Sequence, residues 1–285
     1  MTPTVAVVTD SAASLPPGLA AKWGVRIVPL QVVVDGVSYA EGAQITPDEV
    51  LAHLQVGETI TTSQPSVAAF EEAYAAAAAD GAREIVAVLI SGELSGTVSV
   101  AQAAKADVPV TVVDSRTVAM ATGFAAVAAA ALARTGAPAD AVAEQARRVA
   151  ESSLCMFTVD SLEHLRRGGR ISPAVAAVGR VLGVRPLLGV RNGQIELLDR
   201  VRTTARAREA LIERASAAIA GVDRPAVAVM ALGDEAYVAD AATALDHAHP
   251  ELALTVTTPV SAVLSAHTGP GALAVVVADL PDAVR

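Results

Sequence analysis

Hydroxyl side chains gather at three widely separated places in the chain: TTSQPS at 61–66, SGELSGT at 91–97 and SAVLSAHTGPG at 261–271. Each sits where a buried strand is expected to end, and in an α/β protein such strand ends meet at one crevice. Pooled there, they offer hydroxyl donors, backbone N–H groups freed by glycine, and one imidazole. No cysteine cluster, paired carboxylates or lysine accompanies them. That is equipment for gripping a small anion rather than for breaking a bond. In the first segment Thr61, Thr62 and Ser63 are donors and Pro65 stiffens a helix start, although an ordinary helix cap explains the same residues. In the second, Gly92 and Gly96 allow a tight turn, and Gly96 leaves its N–H open to a ligand. In the third, His267 is read as lying in a glycine-rich turn with little side-chain packing. Its imidazole donates a hydrogen bond when neutral and adds charge when protonated, which suits a carboxylate or phosphate oxygen. His53, His164, His247 and His249 form no HxxxH or HxH spacing, so no metal site is expected.

The elements that must position these groups follow from periodicity. Strands are expected at 5–9, 25–30, 85–89 and 110–114, alternating with helices near 16–23, 47–53, 67–80, 97–104, 119–135 and 139–151. Such alternation predicts a parallel sheet with right-handed crossovers. Asp35-Gly36 between apolar runs reads as a hairpin. Ser66 and Ser95 read as N-caps, which would bring positive helix ends to the crevice. Asp10-Ser11 and Asp114-Ser115 stand at strand ends, where turn formation is the default role and Asp10 has a further option of bracing the crevice wall.

A second unit is expected from about Asp160, dividing the chain into α/β domains at 1–160 and 161–285. It begins with a charged helical turn in SLEHLRRGGRIS that Gly168-Gly169 must end. A helix is expected in VGRVLG at 178–183, then a hairpin through Asn192-Gly193 from a strand at 185–190. A helix at 203–220, a strand at 226–232, a helix at 236–247 and strands at 252–257 and 272–278 complete it.

Composition narrows the function. Hydrophobic residues make up 53% but aromatics only 2%, so any ligand cavity is walled by aliphatics, which disfavours carbohydrate or base stacking. A net charge of −9 argues against nucleic acid. The lone Cys155 excludes an internal disulfide, suits the cytoplasm and, in an apolar run, reads as a buried inert thiol. The uncharged stretch 117–133 is short and carried by alanine, so a packed helix is expected there, and MTPTVAVVTDS reads as a first strand rather than a signal peptide. About half of the 21 Lys and Arg lie between Arg166 and Arg214, a reversal of sign that fits phosphate or an acidic partner surface. Arg170 and Arg202 stand out; Arg206, Arg208 and Arg214 alternate with Glu209 and Glu213 as a solvated helix face.

Taken together, TDS at 9–11, TSQPS, SGELSGT, DS at 114–115, LRRGGRIS, GVRPLL, RVRTTARA and HTGPGALAV resemble, in order, the DegV family of bacterial fatty-acid-binding proteins. The resemblance runs from about residue 5 to 278. It implies two α/β domains with a long-chain fatty acid between them and no cofactor. It implies that Thr62, Ser95 and His267 hold the carboxylate, with Ser63 and the Gly96 N–H nearby. It further implies a non-catalytic carrier whose partner is a dihydroxyacetone-kinase-like fatty acid kinase, which uses its own ATP to make an acyl-phosphate for phospholipid metabolism. Residues matching Arg170 and Arg202 serve that partnership. Two departures stand out: Ser14, where an acid is frequent, and Glu93, an anion that repels a carboxylate unless it points outward. Two rival readings remain open from the residues alone. One is a Ser95–His267 esterase or acyltransferase, which lacks a GxSxG elbow and an evident third triad member. The other is a binding module for a polar or phosphorylated metabolite.

Overall fold

The structure, a computed structural model, describes residues 4–178 and 184–284. The helix expected at 178–183 therefore lies, apart from Val178, outside the described residues.

The N-terminal half runs β1 (Val5–Asp10), α1 (Pro17–Trp23), β2 (Arg26–Val28), β3 (Gln31–Val34), β4 (Val37–Ala40), α2 (Pro47–Gln55), β5 (Ile60–Ser63), α3 (Val67–Ala79), β6 (Glu84–Leu89), α4 (Thr97–Ala103) and β7 (Val110–Asp114). β-branched runs between alanine-rich helices give the parallel sheet β2-β1-β6-β7. β3, β4 and β5 form a separate antiparallel sheet in the order β4-β3-β5. Its hairpin turns at Asp35 and Gly36, both at positive φ (47° and 84°), as a two-residue primed turn requires.

Two helices follow, α5 (Met120–Ala133) and α6 (Ala139–Ser152). The C-terminal half then runs β8 (Leu154–Thr158), α7 (Glu163–Arg167), α8 (Pro173–Val178), β9 (Arg185–Arg191), β10 (Gln194–Val201), α9 (Thr204–Ile219), β11 (Pro225–Ala231), α10 (Glu235–Ala248), β12 (Leu254–Pro259), α11 (Ala262–Thr268) and β13 (Leu273–Asp279). Its sheet is mixed, in the order β10-β9-β8-β13-β11-β12. By hydrogen bonding this second sheet begins at β8, so the long α5–α6 pair joins the two halves.

Strand alternation sorts the second sheet into two faces. Met156, Val275 and Val229 pack under α9 and α10 with Leu211, Ile219 and Leu245. Cys155, Phe157, Ala274, Val276 and Ala228 look the other way, into a core shared with Val5, Val7, Val86 and Val88 of the first sheet. The opposite face of that first sheet is covered by Phe70 and Tyr74 of α3 and Ala101 of α4. Helices α5 and α6 lie between the sheets and touch both. This is why residues 120–133 are uncharged: α5 is buried on nearly all sides rather than on one stripe. No helix among the described residues is long and apolar enough to cross a membrane.

Alanine is what lets α5 sit that close to both neighbours. Ala128 is fully buried, so Ala128→Leu is expected to overpack the layer and destabilise the protein by about 1–3 kcal/mol. The measurement is the urea midpoint, with the slope of the transition unchanged.

Candidate functional site

The ends of the first sheet's strands open into a narrow cavity of about 80 Å³, part of it continuous with solvent. It lies beside the switch point between β1 and β6, where crossovers depart in opposite directions. Ala12, Ile90, Val118 and Ala119 wall it on one side; Cys155, Phe157, Met230 and Ala274 wall it on the other. The row Met230–Ala274–Phe157 follows directly from strand register, since paired positions on adjacent strands share a face. Cys155 is 3% exposed, and burial pushes its thiol up to about 12, leaving it a small inert wall residue.

Polar side chains converge in the same cavity. Thr62, Ser63, Ser95, His267 and Arg170 all line it, drawn from β5, the turn after β6, α11 and the loop after α7. Thr62 Oγ1 and His267 Nε2 are hydrogen-bonded at 2.8 Å. Ser95 Oγ lies 2.8 Å from Thr97 Oγ1 and accepts the Thr97 N–H at 3.4 Å. Arg170 donates from Nε to Leu94 O at 3.1 Å and from Nη1 to Gly168 O. Gly96 and Arg202 are not among the lining residues. Gly96 caps α4 behind Gln64, where an added Cβ would stand 3.4 Å from the amide carbon. Arg202 is exposed just beyond β10 and forms no ion pair among the described residues.

Several local expectations change. Residues 60–63 are a strand, not a turn, so alternation exposes Thr61 and leaves Thr62 half-buried. Ser66 caps α3 by accepting the Ala69 N–H, whereas Gly96, not Ser95, is the N-cap of α4. His267 is in the last turn of a seven-residue helix; only Gly269 and Gly271, at φ 74° and 76°, form the turn beyond it. Nor does the imidazole lack packing. Burial, with a smaller contribution from the Arg170 cation, pushes it down to about 4, so it is neutral at physiological pH. Arg170 supplies the positive charge instead. Glu93 is exposed and accepts a hydrogen bond from Gln194 Nε2 at 3.1 Å, outside the cavity lining.

Glycines hold this geometry by close approach. A Cβ on Gly168 would collide with His267 Nδ1, and one on Gly269 with the His164 ring, so the two histidine-bearing helices each rest an imidazole on the other's glycine. Gly168 has an ordinary φ of −69°, so contact rather than backbone freedom requires it; Gly169, at φ 70°, is the residue that turns the chain.

Asp10 and Asp114 act as turn-makers. Asp10 accepts the Ala12 N–H at 3.0 Å and the Ile90 N–H at 2.8 Å, tying together two cavity-wall segments. Burial pushes its carboxyl up to about 7 despite those bonds. Asp114 accepts from Gly92 at 3.1 Å and Arg116 at 2.8 Å. The β9–β10 hairpin tip then closes the edge: Ser91 Oγ donates to Gly193 O at 2.8 Å and Arg116 Nη2 to Asn192 O at 2.6 Å. None of these long-range ties had a signal in the sequence beyond the hydroxyls and glycines themselves. Among the described residues no group of three or more His, Cys, Asp or Glu is arranged to hold a metal.

The cavity is thus lined mainly by apolar side chains, with hydroxyls, an imidazole and one guanidinium gathered on it. Comparison with known proteins is specific. A family model described as "Uncharacterised protein, DegV family" matches residues 4–280. A DegV domain-containing protein of Streptomyces coelicolor is 42% identical over 275 residues, covering 96% of this chain and 98% of that protein. A DegV family protein from Thermus thermophilus, described by its fatty acid binding, superposes with a TM-score of 0.86 at 33% identity, over 97% of this chain and 99% of that one. DegV from Bacillus subtilis, described as a fatty acid binding protein, gives 0.89 at 28% identity, with the same coverage. The chain belongs to the DegV family.

Two outcomes test the geometry. For His267 the folded value lies below the unfolded one, so the neutral ring is favoured by folding, and the associated stability is lost as pH falls from about 6.5 toward 4. NMR titration is expected to show no protonation of His267 between pH 8 and about 5.5. Gly168→Ala is expected to push the ring off Thr62 and raise its titration midpoint toward the ordinary histidine value; an unmoved midpoint in the folded variant counts against the packing described.

Proposed function

We propose that this protein is a non-catalytic carrier of a long-chain fatty acid, with the tail in the cavity and the carboxylate among Thr62, Ser63, Ser95 and His267. The observation that carries this is the placement of those four residues and Arg170 on one mostly apolar cavity. The fatty acid binding described for the Thermus thermophilus and Bacillus subtilis relatives supports it. A buried methylene contributes about 0.8 kcal/mol, so a tail of about fourteen supplies roughly 11 kcal/mol before ordering costs. Charge-assisted hydrogen bonds of about 1.5–3 kcal/mol each must first offset desolvation of the carboxylate. The tail therefore supplies affinity, and the polar cluster fixes register. A neutral His267 can donate from one ring nitrogen, while Arg170 balances the ligand's charge, a role closer to the ligand than partner docking alone.

With this reading goes presentation of the carboxylate to a separate ATP-dependent, dihydroxyacetone-kinase-like fatty acid kinase in the cytoplasm, and a division of the chain into two lobes near residue 160. Arg202 fits the docking surface rather than the transferred phosphoryl group. It lies seven positions along from the cavity residue Ile195, about 20 Å at the usual rise. The hydrolytic alternative is weakened because Ser95 shares its hydroxyl with Thr97, and His267 with Thr62. A polar metabolite would leave most of the aliphatic wall unmatched.

Protein purified from cells and denatured is expected to release fatty acid detectable by mass spectrometry; a lipid-free preparation carrying a polar ligand overturns the carrier reading. Arg202→Ala is expected to keep fatty-acid affinity but slow acyl-phosphate formation with the cognate kinase. The reverse pattern would exchange the roles assigned to rim and cavity.

A further inference from the structure

The imidazole of His267 is placed by helix α11, and the opposite end of that helix rests on a buried carboxylate. Glu41 stands in the tight turn after β4, 8% exposed, and its own N–H donates to Leu30 O at 3.0 Å. Its Oε1 accepts the Val263 N–H, in the first turn of α11, at 3.0 Å. The Ser11 and Ser261 hydroxyls and the Ala262 N–H also bear on this carboxyl, which burial nonetheless pushes above the usual range. Oε2 has no hydrogen-bond partner, and no arginine or lysine pairs with Glu41 among the described residues.

Burying a carboxyl group is costly, and capping alone does not explain it. Ser261 already caps α11, accepting the Leu264 N–H at 3.4 Å. What distinguishes Glu41 is the sheet it belongs with. β4 leads into Glu41, β5 carries Thr62, and both strands pair with β3. One small sheet therefore grips α11 at both ends: by Glu41 on Val263 at the start, and by Thr62 on His267 at the finish. The helix has only seven residues, so a shift of its first turn is carried directly to its last.

We propose that Glu41 is a positioning residue: by holding the first turn of α11 it sets the His267 imidazole against Thr62 at the polar part of the cavity. The affinity readout rests on the fatty-acid reading above; the spectroscopic readout does not.

The experiment compares wild type, Glu41→Gln and Glu41→Ala, each also combined with His267→Ala. The His267 ring nitrogens are followed by NMR without ligand, and affinities are measured for palmitate and for 1-hexadecanol, which has the tail but no carboxylate. Glu41→Gln keeps an acceptor for Val263 and is expected to behave as wild type. Glu41→Ala is expected to lose the Thr62–His267 signature and to weaken palmitate about tenfold, the worth of one charge-assisted hydrogen bond. Hexadecanol affinity is expected to stay within about twofold, and the palmitate loss to vanish when His267 is already alanine. If Glu41→Ala does not fold, Glu41→Asp, which withdraws the carboxyl by one methylene, is expected to give the same pattern in weaker form. An unchanged ring spectrum in a folded variant, equal losses for both lipids, or losses additive with His267→Ala would falsify the proposal. Should the wild type bind neither lipid, the carrier reading falls, and the ring spectrum alone decides the role of Glu41.

Discussion

The hydrogen bond between Thr62 and His267 joins residues 205 positions apart and brings the two halves of the chain together at the polar part of the cavity. It exists because a neutral imidazole, pressed onto the Cα of Gly168, has one nitrogen left to face β5. Burial keeps the ring neutral, so the site carries its positive charge on the Arg170 guanidinium. The polar lining is thus divided between uncharged hydroxyl and imidazole groups and one guanidinium that also carries charge. That division lets the polar cluster share a cavity with aliphatic walls without burying a second cation.

The cavity itself is a consequence of small side chains. Two sheets share one core through α5, whose alanines allow backbones to approach from both sides. With aromatics nearly absent, the walls are mostly short aliphatic and sulfur-bearing side chains with the Phe157 ring among them, and an interior otherwise packed to crystal-like density keeps its space only where strand ends diverge. Asp10 and Asp114 stabilise those diverging ends by accepting backbone N–H groups that would otherwise go unpaired. The cost is visible at Asp10, whose carboxyl is driven toward neutrality by its burial. A further cost is at Ala119 in the cavity wall, held at φ 57° and ψ −149°, a region nearly reserved for glycine.

Local order in the chain was largely readable. β7, the span of α5, the Asp35-Gly36 and Asn192-Gly193 hairpins and the capped start of α3 follow from β-branching, alanine content and turn chemistry, all of which act between near neighbours. The elements that were not readable are those made by distant partners. β5 is a strand because β3 pairs with it, and α11 is a helix because Glu41 and Ser261 satisfy its first N–H groups; seven residues beside a Gly-Pro-Gly turn have no helical nucleus of their own. β8 hid within an apolar run for the same reason.

For the candidate site, residue chemistry marked out three hydroxyl-rich segments and His267, although an ordinary helix cap explained the first of them equally well; the choice of Thr62, Ser63, Ser95 and His267 came from the resemblance to the DegV family. Sequence alone thus determined which groups were available, the aliphatic nature of the walls and the layered α/β plan. Tertiary structure alone decided that His267 is neutral, that Arg170 lines the cavity while Arg202 lies a strand's length away, and that Glu93 turns aside to Gln194. Charge state and direction depend on desolvation and on neighbours supplied by the other half of the chain, and neither is a property of a residue or of its sequence context.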